Sequence, residues 1–277
     1  IPSAGKGTRL KDLSKHINKA LVSVNQKPSI SYVVEKFHED IEIVIPLGFK
    51  GSDIRDFLEI AYPNRKFTFV DVDIFEGPGS GLGYSLLKCE EFLQCPFIFV
   101  PNDSILEEEI PEPDSNWMGY SSLHTSEEYR SISIMDGNVD NILPKGSSGE
   151  IFPYIGLCAI KDYELFWEYM NEGKSKGSIE IGESYGLKML LSNSNIKAKK
   201  FTWHDTGNLA ALDNAKRLLP KNKINAHILD KPDEAIWFCQ DKVIKFHIDE
   251  NFIADRVKRS HKKGEFVPKI IDNSKHM

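Results

Sequence analysis

Three places in the sequence carry residues whose types suit phosphate and metal chemistry. The first is the glycine loop Gly5-Lys6-Gly7-Thr8-Arg9 near the head of the chain. Gly5 and Gly7 let backbone N–H groups approach an anion closely, Ser3 and Thr8 add hydroxyl donors, and Arg9 offers a planar fork that meets phosphate oxygens in pairs. The spacing is neither G-x-x-x-x-G-K-[ST] nor G-x-G-x-x-G, so taken alone the loop reads equally well as a turn between strand and helix. The other two places are Asp103, after the apolar run PFIFVPN, and Asp205, after KFTWH. From Ile1 to Lys19 the charged residues are Lys6, Arg9, Lys11, Asp12, Lys15 and Lys19, a basic segment in a chain of net charge −6. Such a distribution suits a small anionic ligand and argues against a general nucleic-acid surface.

These residues need elements to position them. Apolar runs bounded by turn signals recur as IEIVIPL, KFTFVDV, PFIFVPND, SISIM, YIGLCAI and KAKKFTW, and between several of them SISYVVEKFHE, DIRDFLEIAY, GYSLLKCEEFL and YGLKMLL have helical spacing. Alternating strands and helices predict an α/β fold, Rossmann-like, with a mixed, mainly parallel sheet and helices on both faces. Ligands of such sheets bind at the carboxyl ends of strands, where all three candidate loops fall. Ile1-Pro2 reads as the last turn of an apolar strand, which implies earlier residues upstream.

The 277 residues, 40% hydrophobic and 27% charged, suffice for one large domain or a domain with a small appendage. The sequence has neither an apolar run of about 18 residues nor a signal-like N-terminus, so the expectation is a cytoplasmic protein without a membrane or nucleic-acid partner. Cys89, Cys95, Cys158 and Cys239 lack C-x-x-C spacing and read as reduced, mostly buried thiols.

The glycine loop does not stand alone. GKGTRL, then NKALVSVNQKPSISYVVEKF, resembles the three-part signature of sugar-1-phosphate nucleotidylyltransferases, G-x-G-T-R-L, P-K-x-L-x-x-V and x-K-P-x-I, with Lys19 as the signature lysine. GPGSGLGYSLL resembles the family's base-recognition loop with Gly81 beside the nucleobase. FIFVPNDSIL resembles V-x-x-G-D-x-L, with Asp103 as a metal aspartate. YIGLCAI resembles the strand lining the sugar pocket, with Gly156 as its glycine. FTWHDTGNLAALDNAKRLL is similar to W-x-D-T/I-G-T-x-x-x-L-x-x-A and supplies Asp205 as the second metal aspartate.

The resemblance implies an enzyme in which a phosphorylated acceptor attacks the α-phosphorus of a nucleoside triphosphate and expels pyrophosphate. It implies Arg9, Lys19, Asp103 and Asp205 as catalytic residues, with Mg²⁺ held by Asp103 and Asp205. Ser3, Ala4, Gly5, Gly7, Thr8 and Gly81 would bind the nucleotide. The acceptor would meet Lys145, Gly156 and Glu183, with Glu180 as the alternative to Glu183. His204 invites a general-base role, but a phosphate nucleophile is already ionised, so packing or a supporting hydrogen bond is the expectation.

One departure concerns the acceptor: where the family carries E-K-P, this chain reads Leu143-Pro144-Lys145-Gly146. The expected acceptor is a sugar 1-phosphate. The alternatives are phosphocholine or a related phospho-alcohol, or a nucleotide-binding or assembly domain without turnover. A homo-oligomer is compatible with any of these.

Residues 1–222 form the expected nucleotidyltransferase domain and 223–277 a small C-terminal α/β extension. In the latter, AIWFCQDKVIKFHI reads as a hairpin turning at Gln240-Asp241, and NFIADRVKRSHKKG as a helix ending at Gly264. This order resembles the start of a choline- or aminoglycoside-kinase-like domain with Lys245 as its ATP lysine, which would place the kinase machinery downstream of Met277. The other reading is an extension that packs on the main domain or mediates assembly.

Overall fold

The computed structural model describes residues 1–122, 128–221, 231, 233–263 and 267–277. The expected domain boundary at 222/223 and Gly264, the expected helix end, lie outside the described residues.

In chain order, β1 (Ser23–Val24) and β2 (Lys27–Pro28) form a minimal hairpin that leads into α1 (Ser29–Val34). A parallel unit follows, β3 (Ile43–Leu47), α2 (Gly51–Ala61) and β4 (Phe67–Asp71). Next come α3 (Leu82–Leu87), β5 (Phe97–Phe99), β6 (Ser104–Leu106), β7 (Trp117–Tyr120), β8 (Ser131–Met135), β9 (Asn138–Leu143) and β10 (Phe152–Ile160). The remaining elements are α4 (Tyr163–Glu172), α5 (Ser178–Ile181), α6 (Glu183–Leu190), β11 (Lys197–Lys200), β12 (Trp203–Asp205), α7 (Leu209–Leu218), β13 (Glu234–Cys239), β14 (Lys242–His247) and α8 (Glu250–Lys263).

The largest sheet has the order β5-β10-β7-β11-β9-β8. Parallel pairing joins β3 to β4 and β7 to β11, whereas β10 pairs antiparallel with β5, β7 and β8. The expected mixed α/β sheet is present, with a larger antiparallel share than the alternation of strands and helices suggests. The reason is the length of β10, which serves three neighbours, and the tight hairpin of β8 and β9.

Two pairings deliver the candidate loops to one end. The first residues run parallel to β3: the Ile1 amino group donates to the Val44 carbonyl at 2.8 Å, the Ser3 N–H donates to the Pro46 carbonyl at 3.1 Å, and Ser3 bridges Leu47. The glycine loop therefore emerges at the carboxyl end of β3. β12 lies antiparallel to β6 with Asp205 opposite Ser104, so Asp205 sits one residue from Asp103 across the pair. Thr206 fastens that crossing, since its N–H and its hydroxyl both donate to the Asp103 carbonyl at 3.0 Å.

The hairpin of β13 and β14 forms with its turn at Gln240-Asp241. Trp237, Cys239, Ile244 and Phe246 are buried in the same cluster as Ile30, Ile45 and Phe57. Trp237 stands edge-on to Phe57 at 5.2 Å, and its Nε1–H donates to Ser23 Oγ at 2.9 Å. Lys245, on the opposite face of the hairpin from the buried Trp237–Ile244 pair, forms an ion pair with Glu234 of the neighbouring strand. Cys89, Cys158 and Cys239 are buried free thiols as expected. Cys95 is exposed instead, because it lies in the turn between the 3₁₀ segment Glu90–Phe92 and β5. Among the described residues no helix is long and apolar enough to cross a membrane.

Candidate functional site

The glycine loop is shaped by what lies beneath it. Gly7 has φ 65°, and a Cβ added there would meet Lys19 Cβ at 2.6 Å, so glycine is required both for the left-handed backbone and for the approach of Lys19. Ser14 Oγ–H donates to the Gly7 carbonyl at 2.8 Å. Ser3 and Ala4 line the underside: Ser3 is fully buried and accepts a hydrogen bond from Asn102 Nδ2 at 3.1 Å, and the Ala4 carbonyl accepts the Phe49 N–H at 2.9 Å. Gly5, Thr8 and Arg9 are exposed on the outer side.

Lys19 begins a short 3₁₀ turn, Lys19–Leu21, capped by Asn18, whose Oδ1 accepts the Ala20 N–H at 2.9 Å. The other end of the Asn18 amide donates to the carbonyls of Ser3 at 3.1 Å and Phe49 at 2.6 Å. Asn18 stands where the family signature has proline, and it ties together the segment entering the glycine loop, the β3–α2 loop and the turn bearing Lys19.

From that turn Lys19 Nζ donates to Asp103 Oδ2 at 2.9 Å. Burial pushes the Asp103 carboxyl up, but the charge and hydrogen bond of Lys19, with Arg9, outweigh it and hold Asp103 below the usual carboxylate range. Asp205 is shifted the other way, by burial first and the charge of Asp103 second. Its Oδ1 accepts the Gly207 N–H at 2.9 Å and its Oδ2 accepts the Tyr129 hydroxyl at 2.9 Å.

Gly207 marks the centre of the group. A Cβ built there would lie 3.0 Å from Asp103 Oδ2, 3.1 Å from Arg9 Nη2 and 3.1 Å from Asp205 Oδ1. Arg9, Lys19, Asp103 and Asp205, expected from four separate segments, are thus brought together around one point. Two acidic oxygens flanked by two cations can receive a polyphosphate with a hard divalent cation. Among the described residues no cluster of three or more His, Cys, Asp or Glu side chains could hold a metal ion. His204 lies on the opposite face of β12 from Asp205, buried, with Nε2 2.9 Å from Glu107 Oε1. Strand alternation thereby removes it from the carboxylate pair and leaves it packed with a hydrogen bond of its own.

The residues expected around the acceptor are more dispersed. Gly156 has φ 77°, and a Cβ there would meet Pro101 Cγ at 2.6 Å. Glu183 opens α6 and is 4% exposed, and burial pushes its carboxyl up to about 7 against the pull of the helix-start N–H groups and Arg130. Glu183 Oε2 and the Tyr154 hydroxyl are both buried without a hydrogen-bond partner among the described residues. Lys145 is exposed in the turn after β9, without an ion pair among the described residues, and Glu180 is exposed on α5. The missing side chain of Gly81 faces the backbone of α5, where a Cβ would lie 2.2 Å from the Ile179 carbonyl oxygen. Close packing of α3 on α5 is therefore one visible reason for that glycine. A cavity of about 570 Å³ lined by Lys27, Tyr32, Glu35 and Lys242 lies against the C-terminal hairpin and includes none of the carboxylate group.

Asn18, Tyr129 and Gly207 were not singled out by the sequence. Gly207 had a signal, since it belongs to the D-T-G segment. Asn18 sits beside the signature lysine in place of a proline. Tyr129 had none.

No family model matches the sequence. Among curated proteins the chain is 26% identical over 220 residues to a bifunctional protein GlmU of Methanococcus vannielii, covering 75% of this chain and 51% of that protein. It is 25% identical over 201 residues to a choline-phosphate cytidylyltransferase of Streptococcus pneumoniae, covering 70% of this chain and 82% of the other. The chain thus spans about half the length of the GlmU relatives it matches. Among solved structures, a UDP-glucose pyrophosphorylase complexed with UDP-glucose superposes with a TM-score of 0.64 at 19% identity, covering 78% of this chain and 95% of that one. The fold is that of these nucleotidyl-transferring enzymes, as the motifs implied.

Proposed function

We propose that this chain, built on the nucleotidyltransferase fold, condenses a nucleoside triphosphate with a sugar 1-phosphate to give a nucleoside-diphosphate sugar and pyrophosphate. The observation that carries this reading is the convergence of Arg9, Asp103 and Asp205 on the space beside Gly207, with Lys19 on Asp103. The names of the relatives support it, as does the order of motifs along the chain.

The donor set fits Mg²⁺: Asp103 and Asp205 turn one carboxylate oxygen each toward a common point, and the adjacent His204 imidazole is engaged by Glu107 instead. Asp103 and Asp205 would hold the ion, which when bound supplies neutralisation of phosphate charge. Arg9, exposed at the outer edge, grips the β- and γ-phosphates of the nucleotide. Lys19 turns from Asp103 to the α-phosphate or the acceptor phosphate. An oxygen of the acceptor phosphate forms the new bond to the α-phosphorus as the bond to the bridging oxygen breaks, and pyrophosphate leaves with that electron pair. The nucleophile is already ionised, so no general base is required, in keeping with the engagement of His204 by Glu107. The glycine loop contributes N–H donors between Gly5 and Thr8, and Gly81 and Gly156 remain the proposed neighbours of base and acceptor.

A second reading keeps the chemistry and replaces the acceptor with phosphocholine or a related phospho-alcohol. It is favoured by the likeness to the choline-phosphate cytidylyltransferase, which extends over 82% of that protein. Pro144 in place of the family glutamate and the outward position of Lys145 point the same way. A pyrophosphate-release screen crossing CTP, UTP, dTTP, GTP and ATP with sugar 1-phosphates and phospho-alcohols decides between them. Turnover with sugar 1-phosphates, abolished in Asp103→Asn with the protein still folded, is the expected result. Response to phospho-alcohols alone replaces the acceptor, and wild-type-like turnover in Asp103→Asn removes the metal assignment.

A further inference from the structure

We infer that Tyr129 is a positioning residue for the metal-binding carboxylate of Asp205. The inference rests on the nucleotidyltransfer reading and concerns how its carboxylate pair is held.

The geometry follows from β12. Strand alternation puts Trp203 and Asp205 on one face and His204 on the other. The Tyr129 ring stands edge-to-face on Trp203, with centroids 4.9 Å apart and planes at 75°, and from that platform its hydroxyl reaches Asp205 Oδ2 at 2.9 Å. Trp203 is itself fixed, since its Nε1–H donates to Ser104 Oγ at 3.2 Å. Asp205 is 6% exposed, so its oxygens depend on protein donors. The Gly207 N–H takes Oδ1 from the backbone side and Tyr129 takes Oδ2 from the other.

Two donors on opposite oxygens fix the rotation of the carboxylate plane, and that rotation sets where the remaining lone pairs aim. A carboxylate facing a like charge has good reason to need this. Arg9, Asp103 and Asp205 Oδ1 all border the same point, and without a donor on Oδ2 the Asp205 group is free to swing its charge away from Asp103. Tyr129 donates to Oδ2, whereas Oδ1 is the Asp205 oxygen that borders the common point, so its action runs through Asp205. Partners of metal ligands generally affect metal affinity by about 10-fold or more.

The test is Tyr129→Phe in the full chain, which removes the oxygen and keeps the ring on Trp203. Mn²⁺ binding is measured by electron paramagnetic resonance, with the ion alone and with the nucleoside triphosphate selected by the screen, and the Mg²⁺ midpoint for pyrophosphate release is measured separately. The expected result is Mn²⁺ binding weakened about 10-fold, a matching rise in the Mg²⁺ midpoint, and an unchanged KM for the acceptor. Phe201→Leu, which loosens the same apolar cluster as Trp203, is expected to bind Mn²⁺ like wild type. Wild-type binding by Tyr129→Phe, or equal weakening in Phe201→Leu, overturns the inference. Loss of the nucleotidyltransfer reading itself would be seen differently, as absence of pyrophosphate release by the wild-type chain with every pair in the screen.

Discussion

Replacing Gly207 with alanine tests the geometry of the site with a single methyl group. Gly207 is absent from the left-handed residues, so alanine meets no special backbone strain there. The loss of glycine freedom in the unfolded chain favours the variant by about 0.4–1 kcal/mol. Against this, the new Cβ stands 3.0 Å from Asp103 Oδ2 and 3.1 Å from both Arg9 Nη2 and Asp205 Oδ1. Each must retreat by a few tenths of an ångström, at a cost of about 1–3 kcal/mol for added volume in a packed site. The balance is a loss of up to about 2.5 kcal/mol, so thermal melting should fall by a few degrees. Activity should not be spared. The methyl itself occupies the space the three charged groups share, so a common ligand must shift by about the width of a carbon, and a misplacement of about 1 Å among reacting groups costs about 100-fold in rate, about 2.7 kcal/mol of barrier. Pyrophosphate release under saturating Mg²⁺ and nucleotide, alongside a melting curve, measures both quantities. A Gly207→Ala protein with kcat/KM within threefold of wild type would refute convergence on a common ligand.

Glu183 and Trp237 supply two further tests. The Glu183 carboxyl rises to about 7 from its ordinary 4.5, so the folded state holds a proton the unfolded chain has released. Stability from this group therefore falls as pH rises through the window between those values and is flat above it, by on the order of 3 kcal/mol in total. Glu183→Gln should raise the melting temperature at pH 8 far more than at pH 4, and an equal effect at both would exclude the buried acid. Trp237→Ala should cost about 3–5 kcal/mol in denaturant unfolding, because the ring is fully buried against Phe57. A loss under 1 kcal/mol would mean that the hairpin is not part of the main core.

The parts of the site legible in the sequence are those whose chemistry follows a strand. Asp103 and Asp205 end apolar runs, and the sheet then fixes where they arrive. Arg9 and Lys19 belong to a loop and a turn whose glycine and lysine spacing has its own signature. Tyr129 lies 76 residues from its carboxylate and depends on a ring contact with Trp203 that local pattern does not encode. β6 and β7 escaped notice for another reason. They have three and four residues, too short for a period of two to register, and are defined by their partners β12, β10 and β11. The acceptor side was the least legible, since Glu183 opens a helix while Lys145 occupies a turn, and nothing in their neighbouring residues predicts burial of one and exposure of the other.

Asn18 has one more consequence. Its amide nitrogen donates to two carbonyls and its oxygen accepts a backbone N–H, so the orientation of the group is set by its neighbours. Aspartate, nearly the same in shape, would bring an acceptor's charge against the Ser3 and Phe49 carbonyls, and leucine would remove all three hydrogen bonds. The position tolerates little beyond an amide, because both ends of the group are spent on backbone. Fixing a backbone residue costs about 1–2 kcal/mol in conformational entropy. By cross-linking the segment entering the glycine loop, the β3–α2 loop and the Lys19 turn through one side chain, folding orders this backbone in the free protein, and under the proposed function nucleotide binding is spared that cost.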